Sequence, residues 1–434
     1  MNSMLKKAVF LFYDLAWNLA IPALRRNQRL AEGFDQRSLR SNVLKKSDLW
    51  IHAASAGESY LACSLLRHLN LPARVRILIT SDTRQGMDIL ERAIEDIAPD
   101  KENMEVYTAY FPFDRPAIME AAVRKICPKT MVLLELEIWP GMLSALKKYG
   151  AEILIINGRI TARSLKRYLL WPSFWHCLTP DKILAISEND ARRFAMLFGK
   201  ERVRVMPNMK FDRLGSSEAQ ERPSLDKILP FDKPLIVLGS TRQEEEPLIE
   251  KIILRVCRSV PEAIIGLFPR HMHRINHWKT VLERAGVSWI LRSEIENENE
   301  KSASHRRVIL WDTFGELSMA YERAKAVFVG GSLAHLGGQN FLEPLICGVI
   351  PVIGPSWENF AWVGREIIDQ GLVRTATDWK EVADILAENV KISPSHKKIR
   401  EAALNYVKKR QGGTAAACRL ITEWIFDCPA GGNK

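Results

Sequence analysis

Ten short apolar runs, each followed by a segment of helical period, limit what this chain can fold into more than any other feature. Five lie in the first half, at residues 49–52, 76–80, 130–134, 153–156 and 182–185. Five more follow at 235–238, 263–268, 288–290, 308–311 and 326–329. Strand–helix alternation of this kind predicts an α/β chain whose parallel sheets carry helices on both faces. Residues 216–234 are rich in Ser, Glu, Pro and Lys and have no period, which marks an inter-domain linker. The expected division is an anchor segment at 1–30, a first domain at 47–214, a linker at 215–234 and a second domain at 235–434. The basic helical segment 393–426 is expected to close the fold against both halves, and the stretch 294–301 to be a solvated loop.

Length and charge narrow the function classes. At 434 residues there is material for two cores. A net charge of +11 points to a polyanionic partner: nucleic acid, anionic lipid or a phosphorylated substrate. The basic residues are spread over both halves without the aromatic interleaving of a single-strand binder, which argues against nucleic acid. Seven scattered cysteines form no C-x-x-C pair and no ligand spacing, so neither a disulfide framework nor a metal site is expected. Residues 8–24 are mostly apolar, are flanked by Lys6, Lys7, Arg25, Arg26 and Arg29, and are broken by Asp14 and Asn18 on one helix face. This pattern suits either a helix lying in a membrane interface or a short tilted span, with the rest of the chain on the cytoplasmic side.

In parallel sheets ligands bind beyond the carboxyl ends of the strands, so the residues after each apolar run carry the functional reading. After the first run comes Ser55-Ala56-Gly57-Glu58, where small residues admit a large substrate and Glu58 is a candidate general base. A helix N-terminus favours the charged carboxylate, so lowered basicity is expected there. Glu135 and Glu137 follow the strand at 130–134 and call for a cationic neighbour. Glu135 reads as a structural ion pair, whereas Glu137 and Arg159 read as functional. In the second half Gly239-Ser240-Thr241-Arg242, Pro269-Arg270-His271 and Asp312-Thr313-Phe314-Gly315-Glu316 each follow a strand. The fourth such stretch is the most heavily marked, running from Gly330 and Gly331 through Gly337, Gly338 and Asn340 to Glu343. Its glycines and following helix suit phosphate on the backbone, and Glu343 suits sugar hydroxyls.

The order and spacing of these motifs, with Trp50-Ile51-His52 and Asn208 to Asp212 added, resemble the 3-deoxy-D-manno-octulosonic acid (Kdo) transferases of lipopolysaccharide biosynthesis over nearly the whole chain. The resemblance implies a GT-B architecture, two Rossmann-like domains facing a cleft, with an N-terminal helix anchored in the inner membrane. It implies a CMP-Kdo donor and a phosphorylated lipid A precursor as acceptor. A monophosphate leaving group needs less cation help than a diphosphate and the sequence has no Asp-x-Asp motif, so an inverting transfer without metal or cofactor is expected. Glu58 matches the family's catalytic base. The donor set is Ser240, Thr241, Pro269, Arg270, Phe314, Gly315, Glu316, Gly331, Ser332, Gly338, Asn340 and Glu343. The acceptor side holds Ser55, Gly57, Glu137, Arg159 and Lys210. Gln339 and Phe341 stand where relatives often carry His and Pro, Pro207 where Gly is frequent and Gly158 where Ala is usual. None of these departures removes a charged group of the site. The rival enzyme reading is a GT-B transferase with a diphospho-sugar donor, which requires the glycine motif but not the Ser55–Glu58 box together with Arg270.

Overall fold

A computed structural model describes residues 3–97, 101–214, 233–297, 306–392 and 395–426. The expected linker lies almost wholly outside the described residues, as does the second part of the stretch 294–301. The described part of that stretch is a 3-10 turn, Arg292–Asn297, that buries Ile295, so it is not simply a solvated loop. The chain separates into two compact units, Met1–Leu214 with Arg410–Lys434, and Gly215–Lys409.

The first unit is built on a parallel sheet of seven strands: β1 (Leu49–His52), β2 (Val75–Ser81), β3 (Met104–Tyr110), β4 (Thr130–Leu134), β5 (Glu152–Gly158), β6 (Lys182–Ala185) and β7 (Val203–Val205). Their order is β3-β2-β1-β4-β5-β6-β7. Strand side chains alternate in direction, and the core follows that period. Leu49, Ile51, Val132 and Leu134 enter one apolar cluster, and Trp50, Met131 and Leu133 enter the other. Both faces are thereby buried, which is why these strands read as continuous apolar runs. β3 and β7 escaped the sequence pattern because they are edge strands with half-exposed or exposed side chains.

The second unit repeats the plan with β8 (Leu235–Thr241), β9 (Ile264–Pro269), β10 (Trp289–Leu291), β11 (Val308–Leu310), β12 (Ala324–Val329), β13 (Pro351–Ile353) and β14 (Arg374–Thr375), in the order β10-β11-β9-β8-β12-β13-β14. β13 and β14 have only three and two residues, too few to show a period.

The closing segment does not behave as one piece. The helix His396–Lys408 stays with the second unit, whereas Gly413–Phe426 belongs to the first. The cause is a stripe of Ala417, Cys418, Ile421 and Ile425 at helical spacing, which packs into the cluster containing Leu49 and Ile51. Asp212 pins the crossing by accepting the N–H groups of Gly412 (2.7 Å) and Thr414 (2.6 Å). The second domain therefore ends near residue 409 rather than at 434.

The N-terminal helix, Ser3–Leu24, is long and apolar enough to cross a membrane. One of its faces is docked on the first unit. Tyr13 donates to Asp114 (2.8 Å), and Arg115 donates to both oxygens of Asp14 (3.0 and 3.2 Å). Phe10 and Trp17 lie against Phe174 and Phe113, with ring centroids 5.8 and 5.9 Å apart. Leu11, Phe12, Leu15 and Leu19 remain exposed on the rest of the helix. Asp14, which breaks the apolar run, is thus matched by an arginine of the folded body.

Candidate active site

Each sheet has a central place from which successive connections leave in opposite directions, and the strand ends flanking it form the crevice where open α/β sheets hold ligands. In the first unit the reversal lies between β1 and β4. The loop after β1 leads into the helix Ala56–His68, capped by Ser55, whose Oγ accepts the Glu58 N–H (3.3 Å). In return Glu58 takes the Ala54 N–H on Oε2 (2.8 Å) and the Ser55 hydroxyl on Oε1 (2.9 Å). This reciprocal capping fixes the carboxylate in place.

Glu58 is only 8% exposed, and burial pushes its carboxyl up to about 8, helped by the nearby charges of Glu137 and Glu135. The hydrogen bonds from Ser55 and Ala54 act in the opposite direction and are outweighed. The expected lowering by the helix terminus is therefore reversed, because removal from water costs the charged form more than the first-turn dipoles return. Gly57 is exposed, and a Cβ there would meet nothing nearer than Ser55 Oγ at 3.8 Å. Packing does not demand glycine at that position; its smallness opens space beside Glu58.

Across the reversal, β4 ends in Glu135, whose φ of 58° is left-handed and strained for a glutamate. Its carboxylate is ion-paired with Lys210 Nζ at 2.5 Å. Lys210 is delivered by the 3-10 turn Met209–Phe211, whose Met209 N–H is held by the buried Asn157 Oδ1 (2.9 Å). Lys210 thus supplies a cation to Glu135. Arg159, which was expected to help supply it, is half-buried just after β5. Glu137 accepts from Trp139 Nε1 (2.9 Å), and burial raises its carboxyl to about 7.

Ligand atoms of His52, Asp82 and Glu137 lie within 4.8 Å of one another. His52 is fully buried and stacked on Phe111, and burial lowers its proton affinity. Arg37 sits 3.5 Å from Asp82 Oδ1 and already places a positive charge in this group. Sequence reading missed Arg37 altogether, because it precedes the first recognised strand and is brought in only by tertiary folding.

In the second unit the reversal lies between β8 and β12. The residue that organises it is Glu245, fully buried and also missed. It accepts the N–H groups of Gly331 (2.6 Å), Arg242 (3.0 Å) and Leu333 (3.4 Å), tying the loop after β8 to the loop after β12. A Cβ at Gly330 would stand 2.6 Å from Glu245 Oε1, so only glycine permits this approach.

Several expected phosphate donors are consequently engaged inside the protein. Gly331 gives its N–H to Glu245, and Gly338 gives its own to the Gly331 carbonyl (2.8 Å). Ser332 Oγ donates to Val329 O (2.7 Å) and accepts the Gly354 N–H (2.9 Å). Glu316 accepts from Arg292 (2.8 and 2.9 Å), Trp311 (2.7 Å) and Thr313 (2.9 Å), which makes it the brace of the loop after β11. Through these bonds the four residues brace the loops of the site. The helices beginning at Leu317 and Leu342 have seven and five residues and make poorer anion termini than the pattern suggested.

Other members of the set do face outward. Arg270 is exposed after β9 and makes no hydrogen bond or ion pair among the described residues beyond its backbone N–H to Thr241 O (2.9 Å). Its charge offsets part of the rise that burial imposes on Glu343. Asn340 donates to Glu343 Oε1 (2.8 Å), leaving Oε2 without a partner among the described residues. Phe314 is 82% exposed, and the adjacent Gly315, with φ of 88°, has open space where a Cβ would lie. Ser240 stands near the end of β8 with a left-handed φ of 54°. Next to it Thr241 is buried with an unpartnered Oγ1, and Pro269 is buried at the end of β9. A cation, a free carboxylate oxygen and an exposed aromatic ring at neighbouring strand ends match the needs of phosphate, ribose and base.

A family model described as 3-deoxy-D-manno-octulosonic-acid transferase (kdotransferase) matches residues 25–213. The 3-deoxy-D-manno-octulosonic acid transferase of Bordetella pertussis is 29% identical over 420 residues, covering 94% of this chain and 92% of that protein. Its namesake from Haemophilus influenzae is 28% identical over 391 residues, covering 88% and 87%. Among solved structures, a glycosyltransferase from Rickettsia africae superposes with a TM-score of 0.56 at 12% identity, covering 90% of this chain and all of that one. A UDP-GlcNAc 2-epimerase from Neisseria meningitidis gives 0.53 at 12%, covering 87% and 99%. At such low identity these two show the GT-B fold alone. The chain is a glycosyltransferase, and the sequence matches, together with the strand-end residues in their expected order, support the 3-deoxy-D-manno-octulosonic-acid (Kdo) transferase family for it.

Proposed function

We propose that this protein transfers Kdo from CMP-Kdo to a hydroxyl of a phosphorylated lipid A precursor, by a single inverting displacement with Glu58 as general base. The observation that carries this reading is a buried carboxylate of raised proton affinity, fixed at the strand-order reversal beside two further glutamates. Raised affinity makes Glu58 a stronger base toward an alcohol. As the acceptor oxygen bonds to the anomeric carbon, its proton passes to Glu58 and the bond from that carbon to the CMP phosphate breaks. Arg270 meets the charge left on the phosphate, Glu343 the ribose hydroxyls and Phe314 the face of the base. Ser55 positions Glu58, Gly57 leaves room for the acceptor, and Lys210 with Glu135 and Arg159 supports the acceptor side near Glu137.

The displacement needs no metal on this reading, because a monophosphate leaves and Arg37 and Lys210 already pair with Asp82 and Glu135. The exposed apolar face of the N-terminal helix and the basic residues Arg25 and Arg26 support a location on the anionic cytoplasmic surface of the inner membrane. The test is mass spectrometry of lipid A precursor incubated with CMP-Kdo and the purified protein, with and without chelator. Kdo mass increments that survive chelation and vanish in Glu58→Ala are expected. No increment from a folded, CMP-binding protein would refute the acceptor, and loss on chelation would refute metal independence.

A further inference from the structure

A cavity of about 270 Å³ lies in the first unit, walled by Trp17, Leu24 and Leu30 from the N-terminal segment and by Phe111, Phe113 and Trp139 from the strand-end loops. Its polar lining is Arg37, Asp82 and Asp114, and each of these is already occupied. Arg37 donates to the carbonyls of Phe111 (3.3 Å) and Asp82 (2.6 Å) and pairs with the Asp82 carboxylate. Asp114 accepts from Tyr13 (2.8 Å) and from the N–H groups of Gly141 (2.8 Å) and Met142 (2.6 Å). A polar ligand finds Arg37 and Asp114 already engaged, whereas an apolar one leaves these bonds intact. The cavity is therefore suited to hydrocarbon.

Its two surroundings fix which hydrocarbon. On one side the wall belongs to the helix whose other face exposes Leu11, Phe12, Leu15 and Leu19. On the other side the lining residue Trp139 donates to Glu137, and the lining residue Asp82 belongs to the group with His52 and Glu137. A chain lying in this cavity is continuous with an apolar surface at one end and with the candidate catalytic carboxylates at the other. We propose that the cavity holds an acyl chain of the lipid acceptor, so that the N-terminal helix forms part of the substrate site as well as the membrane contact. This inference rests on the lipid-acceptor reading above. The cavity would hold one chain in place while the sugar hydroxyl of the same molecule is presented to Glu58.

The test compares two acceptors, the acylated precursor and its fully deacylated disaccharide bisphosphate, using full-length protein in mild detergent. Leu24→Trp fills the cavity; Leu19→Ser changes the exposed face only. Leu24→Trp is expected to lower the ratio of kcat/KM for the acylated over the deacylated acceptor, by about fifteenfold for every two methylenes kept out. Leu19→Ser is expected to leave that ratio within about twofold. An unchanged ratio in Leu24→Trp overturns the proposal. A second readout needs no transfer at all: a diazirine-bearing palmitic acid should label the peptides holding Phe111 to Phe113 and Trp139, and this labelling should be lost in Leu24→Trp. Labelling confined to Leu11 through Leu19 overturns the cavity assignment even if the wild type transfers no sugar, which would itself sink only the acceptor reading.

Discussion

Replacing Glu58 by glutamine tests the claim that burial, rather than the helix terminus, governs this carboxyl. The folded protein holds the proton up to about pH 8, against an ordinary value of 4.5. At 1.36 kcal/mol for each tenfold in proton affinity, that gap amounts to roughly 5 kcal/mol, an order-of-magnitude figure for a side chain with little solvent access. The sign follows from proton counting. Between pH 4.5 and 8 the unfolded chain has released this proton and the folded chain has kept it, so the group's contribution is complete below 4.5 and is lost as pH rises to about 8. Glutamine cannot ionise and keeps an oxygen for the Ala54 N–H. Denaturant unfolding of both proteins from pH 5 to 9 should therefore show Glu58→Gln gaining on the wild type through this window and levelling off above it. Transfer should fall by roughly 10²- to 10⁴-fold, and wild-type kcat/KM should climb through about pH 8 as the base form accumulates. A stability difference that stays flat from pH 5 to 8 would refute the burial argument. A pH profile rising near 4.5 would instead favour the helix terminus.

Arg270→Ala should raise the KM for the CMP-sugar by roughly 10- to 100-fold, and Arg270→Lys should recover part of the loss by restoring charge without the donor fork. Because Arg270 is exposed, its unfolding free energy should not move by more than about 0.5 kcal/mol. Phe314→Ala should likewise leave stability unchanged while weakening CMP binding by roughly 1–3 kcal/mol in calorimetry, the value of stacking a base on a ring. Glu245→Ala should do the reverse, destabilising the second unit by roughly 2–4 kcal/mol through orphaned backbone N–H groups, with Glu245→Gln milder. Equal loss of stability in all three would contradict the division between ligand-facing and loop-bracing residues.

The residues legible in sequence were those whose role depends on neighbours along the chain. Apolar runs such as 130–134 and 153–156 announced strands because both faces of those strands are buried. The Ser55–Glu58 box announced a helix start, and its reciprocal cap joins partners only three residues apart. The edge strands β3, β7 and β14 did not show, since half-exposed positions do not need apolar residues.

Roles set by distant partners were hidden. Glu245 looked like one of three glutamates at a helix start until its bond to Gly331, 86 residues away, made it the brace of the glycine loop. Gly331, Gly338, Ser332 and Glu316 looked like ligand contacts until their hydrogen bonds were found within the protein. The last helix looked like part of the second domain until its stripe met the first core.

Sequence alone determined the alternation of strands and helices, the places where loops carry charge, and the family that the motifs resemble, because these are read from local period and spacing. Tertiary structure decided whether Glu58 is a weak or a strong base, which amides remain free, and where a hydrocarbon chain can enter. Each of those depends on desolvation and on groups tens to hundreds of residues away.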